Sequence, residues 1–248
     1  MAQTNSLNDH PTKSYLTTPR LKALAVALLV LVALLGIWWG GHVWYRSTLL
    51  AELRGDVLAD LDPYGNALTI DLRRRFDLIF GLRGWVITNP SLMQPGTNFE
   101  AFARELGHGI AGIRNMNIAP AGIVRLVYPR AGNEAILGRD LINDRRDEVR
   151  DEVARAIKLR KIVISGPFKL LVGGFGVVAR LAIHRDDAFW GLINVVLDLP
   201  PVLAAAGITT QKNLQLALRD GRSQVFFGEP AVFDANPVIH RVELPGGD

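Results

Sequence analysis

Between Lys22 and Arg46 runs an uninterrupted apolar stretch, ALAVALLVLVALLGIWWGGHVWY, with no formally charged residue in it. As a helix rising about 1.5 Å per residue it is long enough to cross a hydrocarbon core of about 30 Å. Leu24, Val26, Leu28, Leu29, Val30, Leu31 and Val32 leave it no polar face, which suits lipid on every side. A cleaved signal peptide would be shorter and end in small residues. Here Trp38, Trp39, Trp44 and Tyr45 follow instead, as in an interfacial aromatic belt. The expected organisation is therefore a tail over 1–20, a transmembrane helix over 21–45, a stalk and long helix over 46–90, and one folded domain over 91–248.

Orientation follows from the flanks. Lys13, Arg20 and Lys22 outweigh Asp9 before the span, whereas Glu52, Asp56, Asp60 and Asp62 follow it. Positive residues stay in the cytoplasm, so the tail is expected there and the folded domain outside. No second apolar run is long enough to span, since Pro200-Pro201 separates Leu192–Leu199 from Val202–Ile208. The expected location is the bacterial inner membrane, crossed once, with the domain in the periplasm.

The chain carries a net charge of +4 and no cysteine. Disulfides and thiolate metal sites are thereby excluded. The positive charge does not point to nucleic acid, because Arg73-Arg74-Arg75 and Arg145-Arg146 alternate with Asp71, Asp77, Asp144, Asp147 and Glu148.

Past the span, Leu49, Leu50, Leu53, Val57 and Leu61 recur at helical spacing. Asp62-Pro63 predicts the start of a new helix, an N-cap followed by proline, running to about Thr88 with Leu68, Leu72, Ile79, Leu82 and Val86 in one stripe. That stripe serves either a homodimer interface or the domain behind it. Thr97 and Glu100 predict a capping box opening a short helix to about Gly107.

Short runs of Val, Ile and Phe then predict strands at Asn115–Ala119, Ile123–Tyr128, Lys161–Leu171, Gly176–His184 and Ala188–Asp198. A helix over Asp144–Leu159 lies among them, and Pro200 opens another that ends at Gly207. Strands Leu214–Arg219 and Gln224–Phe227 flank an Asp220-Gly221 turn, and an extended piece covers Val238–Glu243. Gly173-Gly174-Phe175-Gly176 reads as a hairpin turn, since a phosphate loop would open a helix. Helices first and mainly antiparallel strands afterwards make an α+β fold.

Catalytic patterns are missing: there is no GxxxxGK[ST], HExxH or GxSxG, and the five histidines are scattered. No cofactor or metal is expected. The Gly166-Pro167 break in a predicted strand either opens room for a ligand, with Ser165 supplying a hydroxyl and Arg180 a cation, or is a β-bulge. Two other functions remain open, a periplasmic hydrolase using His108, His184 or Asp198 and a ligand-free dimerisation module.

The succession IAPAG (118–122), VYPRAGN (127–133), LGRDL (137–141), ISGPFKLL (164–171), GVVARLAI (176–183) and GLINVVLDL (191–199) resembles the CHASE domain. That is the extracytoplasmic sensor of bacterial histidine kinases and diguanylate cyclases and of plant cytokinin receptors. The resemblance implies PAS-like modules with a mixed, mainly antiparallel sheet, a small-molecule ligand, a homodimer, and signalling to a cytoplasmic output domain that this chain lacks. Carried over by position, it puts the ligand-facing residues at Ala154, Ser165, Arg180 and Asn194. Where cytokinin-binding members place a carboxylate, this chain has Arg130-Ala131-Gly132 with Glu134 nearby. The resemblance also implies that the chain stops short of the domain's last strand.

Overall fold

The computed structural model describes residues 18–89, 98–171, 173–209 and 214–244. Two units divide the chain, one up to Asp56 and one from Val57. Helix α1 (Thr18–Phe76) supplies the described part of the first unit and continues into the second. Its large apolar side chains from Leu21 to Tyr45 are all exposed among the described residues. The helix is long and apolar enough to cross a membrane.

In the second unit α1 passes straight through Pro63, where the sequence predicts a new helix. Proline removes one ladder hydrogen bond and costs about 3 kcal/mol in a helix interior. Burial of Leu68, Leu72 and Phe76 just beyond it offsets that cost. The interruption falls instead at Asp77, one residue before α2 (Leu78–Thr88), where the Phe80 amide donates to the Asp77 carbonyl in a tightened turn. Helix α3 (Phe99–Leu106) has Asn98 at its N-cap position with no side-chain cap bond, and Thr97 of the expected capping box lies outside the described residues.

Five antiparallel strands form the central sheet: β1 (Ile113–Pro120), β2 (Leu126–Tyr128), β3 (Val163–Lys169), β4 (Phe175–Arg185) and β5 (Ala188–Asp198), in the spatial order β2-β1-β5-β4-β3. Every described strand pair is antiparallel, within the α+β fold and mainly antiparallel sheet expected. The sheet has two covered faces, and side-chain alternation decides what each one buries. Met116 and Ile118 of β1, Val177, Ala179, Leu181 and Ile183 of β4, and Ile193, Val195 and Leu197 of β5 pack with Leu72, Phe76, Ile79, Leu82 and Val86 into the main core. The opposite face meets α4 (Asp147–Leu159), whose Val149 and Val153 pack on Ala119, Ala182 and Leu192. Strands covered on both sides need apolar residues at nearly every position, which is why β4 and β5 read as continuous apolar runs.

After β5, helix α5 (Leu199–Ala205) opens with prolines and closes the main core through Val202 and Leu203. Arg114 of β1 clamps the sheet's end, donating from Nε to Asp198 Oδ1 at 2.8 Å and from a terminal nitrogen to the Gly173 carbonyl at 3.0 Å. Strands β6 (Leu218–Arg219) and β7 (Val225–Phe227) make a separate small hairpin. Residues 238–243, predicted extended, join no strand. There the His240 ring lies against Gly65 of α1, and its Nδ1 is 2.8 Å from Asp62 Oδ1.

Candidate ligand site

On the α4 side of the sheet the pleat brings Val163, Arg180, Asn194 and Asn117 into one row across β3, β4, β5 and β1, since each is the register partner of the next. Residues directly opposite one another in antiparallel strands project to the same face, with Cβ atoms about 5 Å apart. A cavity of about 70 Å³ opens above this row. Its polar lining comes from Asn115, Asn117, Arg139, Arg146, Arg180 and Asn194, and Leu170, Val178 and Val196 supply part of an apolar wall.

Four asparagines form a relay beneath it. Asn133 Nδ2 donates to the carbonyls of Pro129 and Arg114, at 3.0 and 3.2 Å. Asn115 Nδ2 donates to Asn133 Oδ1, Asn117 Nδ2 to Asn115 Oδ1, and Asn194 Nδ2 to Asn117 Oδ1, at 2.9, 2.9 and 2.8 Å. Backbone carbonyls only accept, so Asn133 must turn its Nδ2 toward them, and that choice fixes each amide after it. The relay ends on Asn194 Oδ1, which is buried with no donor.

Arg180 is 4% exposed, and its side chain makes no hydrogen bond or ion pair among the described residues; its Nε is buried without an acceptor. Burial pulls its pKa down to about 10, against the attraction of Glu152 on α4. It therefore keeps its charge at neutral pH.

Arg139 and Arg146 are held differently. Both pair with Asp144, whose carboxylate is wholly buried. Burial raises the Asp144 pKa, but the Arg146 amide, 3.0 Å from Oδ1, and the Arg139 guanidinium outweigh it and hold the group below its ordinary value.

Of the four residues implied by position, Arg180 and Asn194 line the cavity side by side. Ser165 is buried on the same sheet face with its Oγ unpartnered, but it lies outside the lining. Ala154 is exposed on α4 and does not reach the cavity. The Gly166-Pro167 break is a bulge: register shifts between Ser165 and Phe168, and Gly166 has φ 110° with a Cβ position 2.8 Å from the Gly176 carbonyl. Of the residues weighed for hydrolysis, Asp198 is taken by Arg114, His184 lies edge-on to Phe189, and His108 is exposed. Asn115, Asn117 and Asn133 of the relay and the Asp144 arginine pair were not singled out from the sequence. The signal for the first is Asn115-Met116-Asn117, two amides at strand spacing in an apolar run.

Against models of known families, residues 69–226 match the CHASE domain, over more than half of the chain. The chain belongs to the CHASE domain family. No curated protein matches its sequence significantly. Among solved structures, the sensor domain of the V. cholerae histidine kinase DctB superposes on this CHASE chain with a TM-score of 0.50 at 14% identity, over 73% of this chain and 68% of that one. The ligand-binding domain of the Pseudomonas aeruginosa chemoreceptor PctC, in complex with GABA, gives 0.45 at 13%, over 68% and 74%. An extracellular ligand-binding receptor from Desulfohalobium retbaense gives 0.45 at 16%, over 58% of this chain and 26% of the receptor, so the chain spans about a quarter of it. The likeness to the DctB sensor domain is one of fold: a long N-terminal helix leading into an antiparallel sheet.

Proposed function

We propose that this CHASE domain is the receiving part of a membrane-anchored sensor. In this reading α1 crosses the bacterial inner membrane once and the sheet domain lies in the periplasm. A small molecule enters the cavity above Arg180 and Asn194. Its arrival favours one of two packings of a homodimer, and the change passes along α1 to an output domain in the cytoplasm, such as a diguanylate cyclase or histidine kinase. A ligand moves such an equilibrium only by its difference in affinity for the two packings.

One observation carries the reading. A buried arginine and a buried amide oxygen, both without partners, stand together at one cavity. Burying unpaired polar groups costs free energy that a purely structural module has no reason to spend. A bound molecule recovers that cost.

The test is thermal unfolding of the full chain in detergent micelles against a library of small metabolites. At least one compound should raise the Tm of the wild type and leave that of Val196→Phe unchanged, because the ring fills the cavity. If no compound acts, or if every active compound acts equally on Val196→Phe, the cavity is not a receptor site.

A further inference from the structure

Resting on that reading, the lining of the cavity also selects the chemistry of what it takes: we propose that it binds a small 2-hydroxy monocarboxylate. Arg180 receives the carboxylate and Asn194 Oδ1 accepts a hydrogen bond from the hydroxyl.

Charge comes first. Three guanidinium groups, those of Arg139, Arg146 and Arg180, line the cavity, and among the described residues no carboxylate does. Arg139 and Arg146 already share Asp144, so the cation left for a ligand is Arg180. Glu152 attracts it without forming an ion pair, and one of the Glu152 oxygens is itself buried and unpartnered. A planar guanidinium with a free edge matches a carboxylate by paired hydrogen bonds, which are short and strong when both partners are charged.

The relay supplies the second requirement. Two backbone carbonyls at its far end force every amide in the row to point the same way, so Asn194 offers an acceptor and not a donor. The molecule above it must therefore bring an O–H or N–H. Arg180 and Asn194 are register partners on β4 and β5 and project to one face with Cβ atoms about 5 Å apart, so a donor carried close to the carboxylate can meet Asn194 while the carboxylate meets Arg180.

An amine and a hydroxyl both meet that geometry, and electrostatics separates them. An ammonium group would enter among three guanidinium groups with no lining carboxylate to pair with, whereas a hydroxyl donates without adding charge. Size sets the last limit: about 70 Å³ is several times the roughly 10–15 Å³ that one water needs, which suits a molecule of a few heavy atoms. Lactate and glycolate fall in that range.

The experiment titrates the full chain in micelles with glycolate, L-lactate, D-lactate, propionate, lactamide and L-alanine, reading Tm and binding heat. One of the hydroxy acids should bind, propionate should bind about tenfold more weakly for want of the hydroxyl, and lactamide and L-alanine should not bind. Arg180→Met should abolish hydroxy-acid binding while leaving the unliganded Tm unchanged or higher, since it removes an unpaired buried charge. Asn194→Ala should bring L-lactate and propionate to equal affinity.

Binding of lactamide or L-alanine as tight as that of L-lactate overturns the assignment. So does an unliganded Arg180→Met that unfolds at a clearly lower temperature, which would make Arg180 a structural partner of Glu152. If the metabolite library yields a cavity ligand that is neutral or cationic while all hydroxy acids fail, the sensor reading stands and this assignment falls. If the library yields nothing, both fall.

Discussion

Asp144 shows how one buried carboxylate organises the wall of a site. Its side chain accepts from Arg139 and from the backbone and side chain of Arg146, and its own carbonyl accepts from Arg150 at 2.7 Å. Because these donors hold the folded pKa below the ordinary 3.8, its contribution is present in full above that value and is lost as pH falls through the lower folded value. Asp144→Asn should cost about 1–3 kcal/mol at neutral pH, by weakening two charge-assisted contacts at a fully buried position. It should also flatten the loss of stability below about pH 4. Urea titrations at several pH values measure both, and equal acid slopes in the two proteins would show that Asp144 is not the group responsible.

Legibility at the residue scale was uneven for a physical reason. Arg180 stands out as a cation inside an apolar strand, and the family resemblance adds Asn194. Asn133 does not, because its role depends on Pro129 and Arg114 being brought within reach of its amide. Ala154 faces solvent because α4 turns Val149, Val153 and Ala156 inward, and a residue one position past Val153 is rotated by about 100°.

Among the elements, β5 is the one on which the sheet depends, since it lies at the centre between β1 and β4. Its Gly191 lets β1 approach: a Cβ there would stand 2.6 Å from the Ala119 carbonyl oxygen and 2.8 Å from Pro120 Cα. Backbone cannot rotate aside as a side chain does. Gly191→Ala should therefore cost about 1–3 kcal/mol, read as a lowered midpoint in denaturant. An unchanged midpoint would mean that β1 and β5 can part locally without loss.

The span of β5, Ala188–Asp198, follows directly from the sequence pattern, as does the end of α2 at Thr88. The start expected at Asp62-Pro63 does not appear. A local N-cap signal gives a helix start only when the preceding residues are free to leave the helix, and here α1 continues on both sides of Pro63. The stripe Leu68, Leu72, Ile79, Leu82 and Val86, open between dimer and domain from periodicity alone, packs on the sheet within the protein.

At the scale of the whole chain, the proposed membrane insertion rests on the run from Ala23 to Tyr45, where every described side chain is exposed. Leu31→Asp places a carboxylate near its middle, at a cost of about 2.5–3.5 kcal/mol. The variant should shift from the alkali-resistant membrane fraction toward the soluble one. If it fractionates like the wild type, this run does not act as a single anchor. A reporter active only in the periplasm, fused after Asp248, should be active in the wild type, and activity confined to a cytoplasmic reporter would reverse the proposed orientation.

Sequence alone determined the apolar helix, the order of helices and strands, the family resemblance and two of the residues at the cavity, because each of these is written in local period or in motifs read along the chain. Only the tertiary structure decided that the Arg180 side chain has no hydrogen-bond partner among the described residues, that four asparagines orient one another, and that Arg139 and Arg146 converge on Asp144. Those facts depend on which strand neighbours which and in what register. A one-residue slip of β4 against β5 would turn Arg180 to the face that packs on α1 and α2 and abolish the site while leaving every local pattern intact.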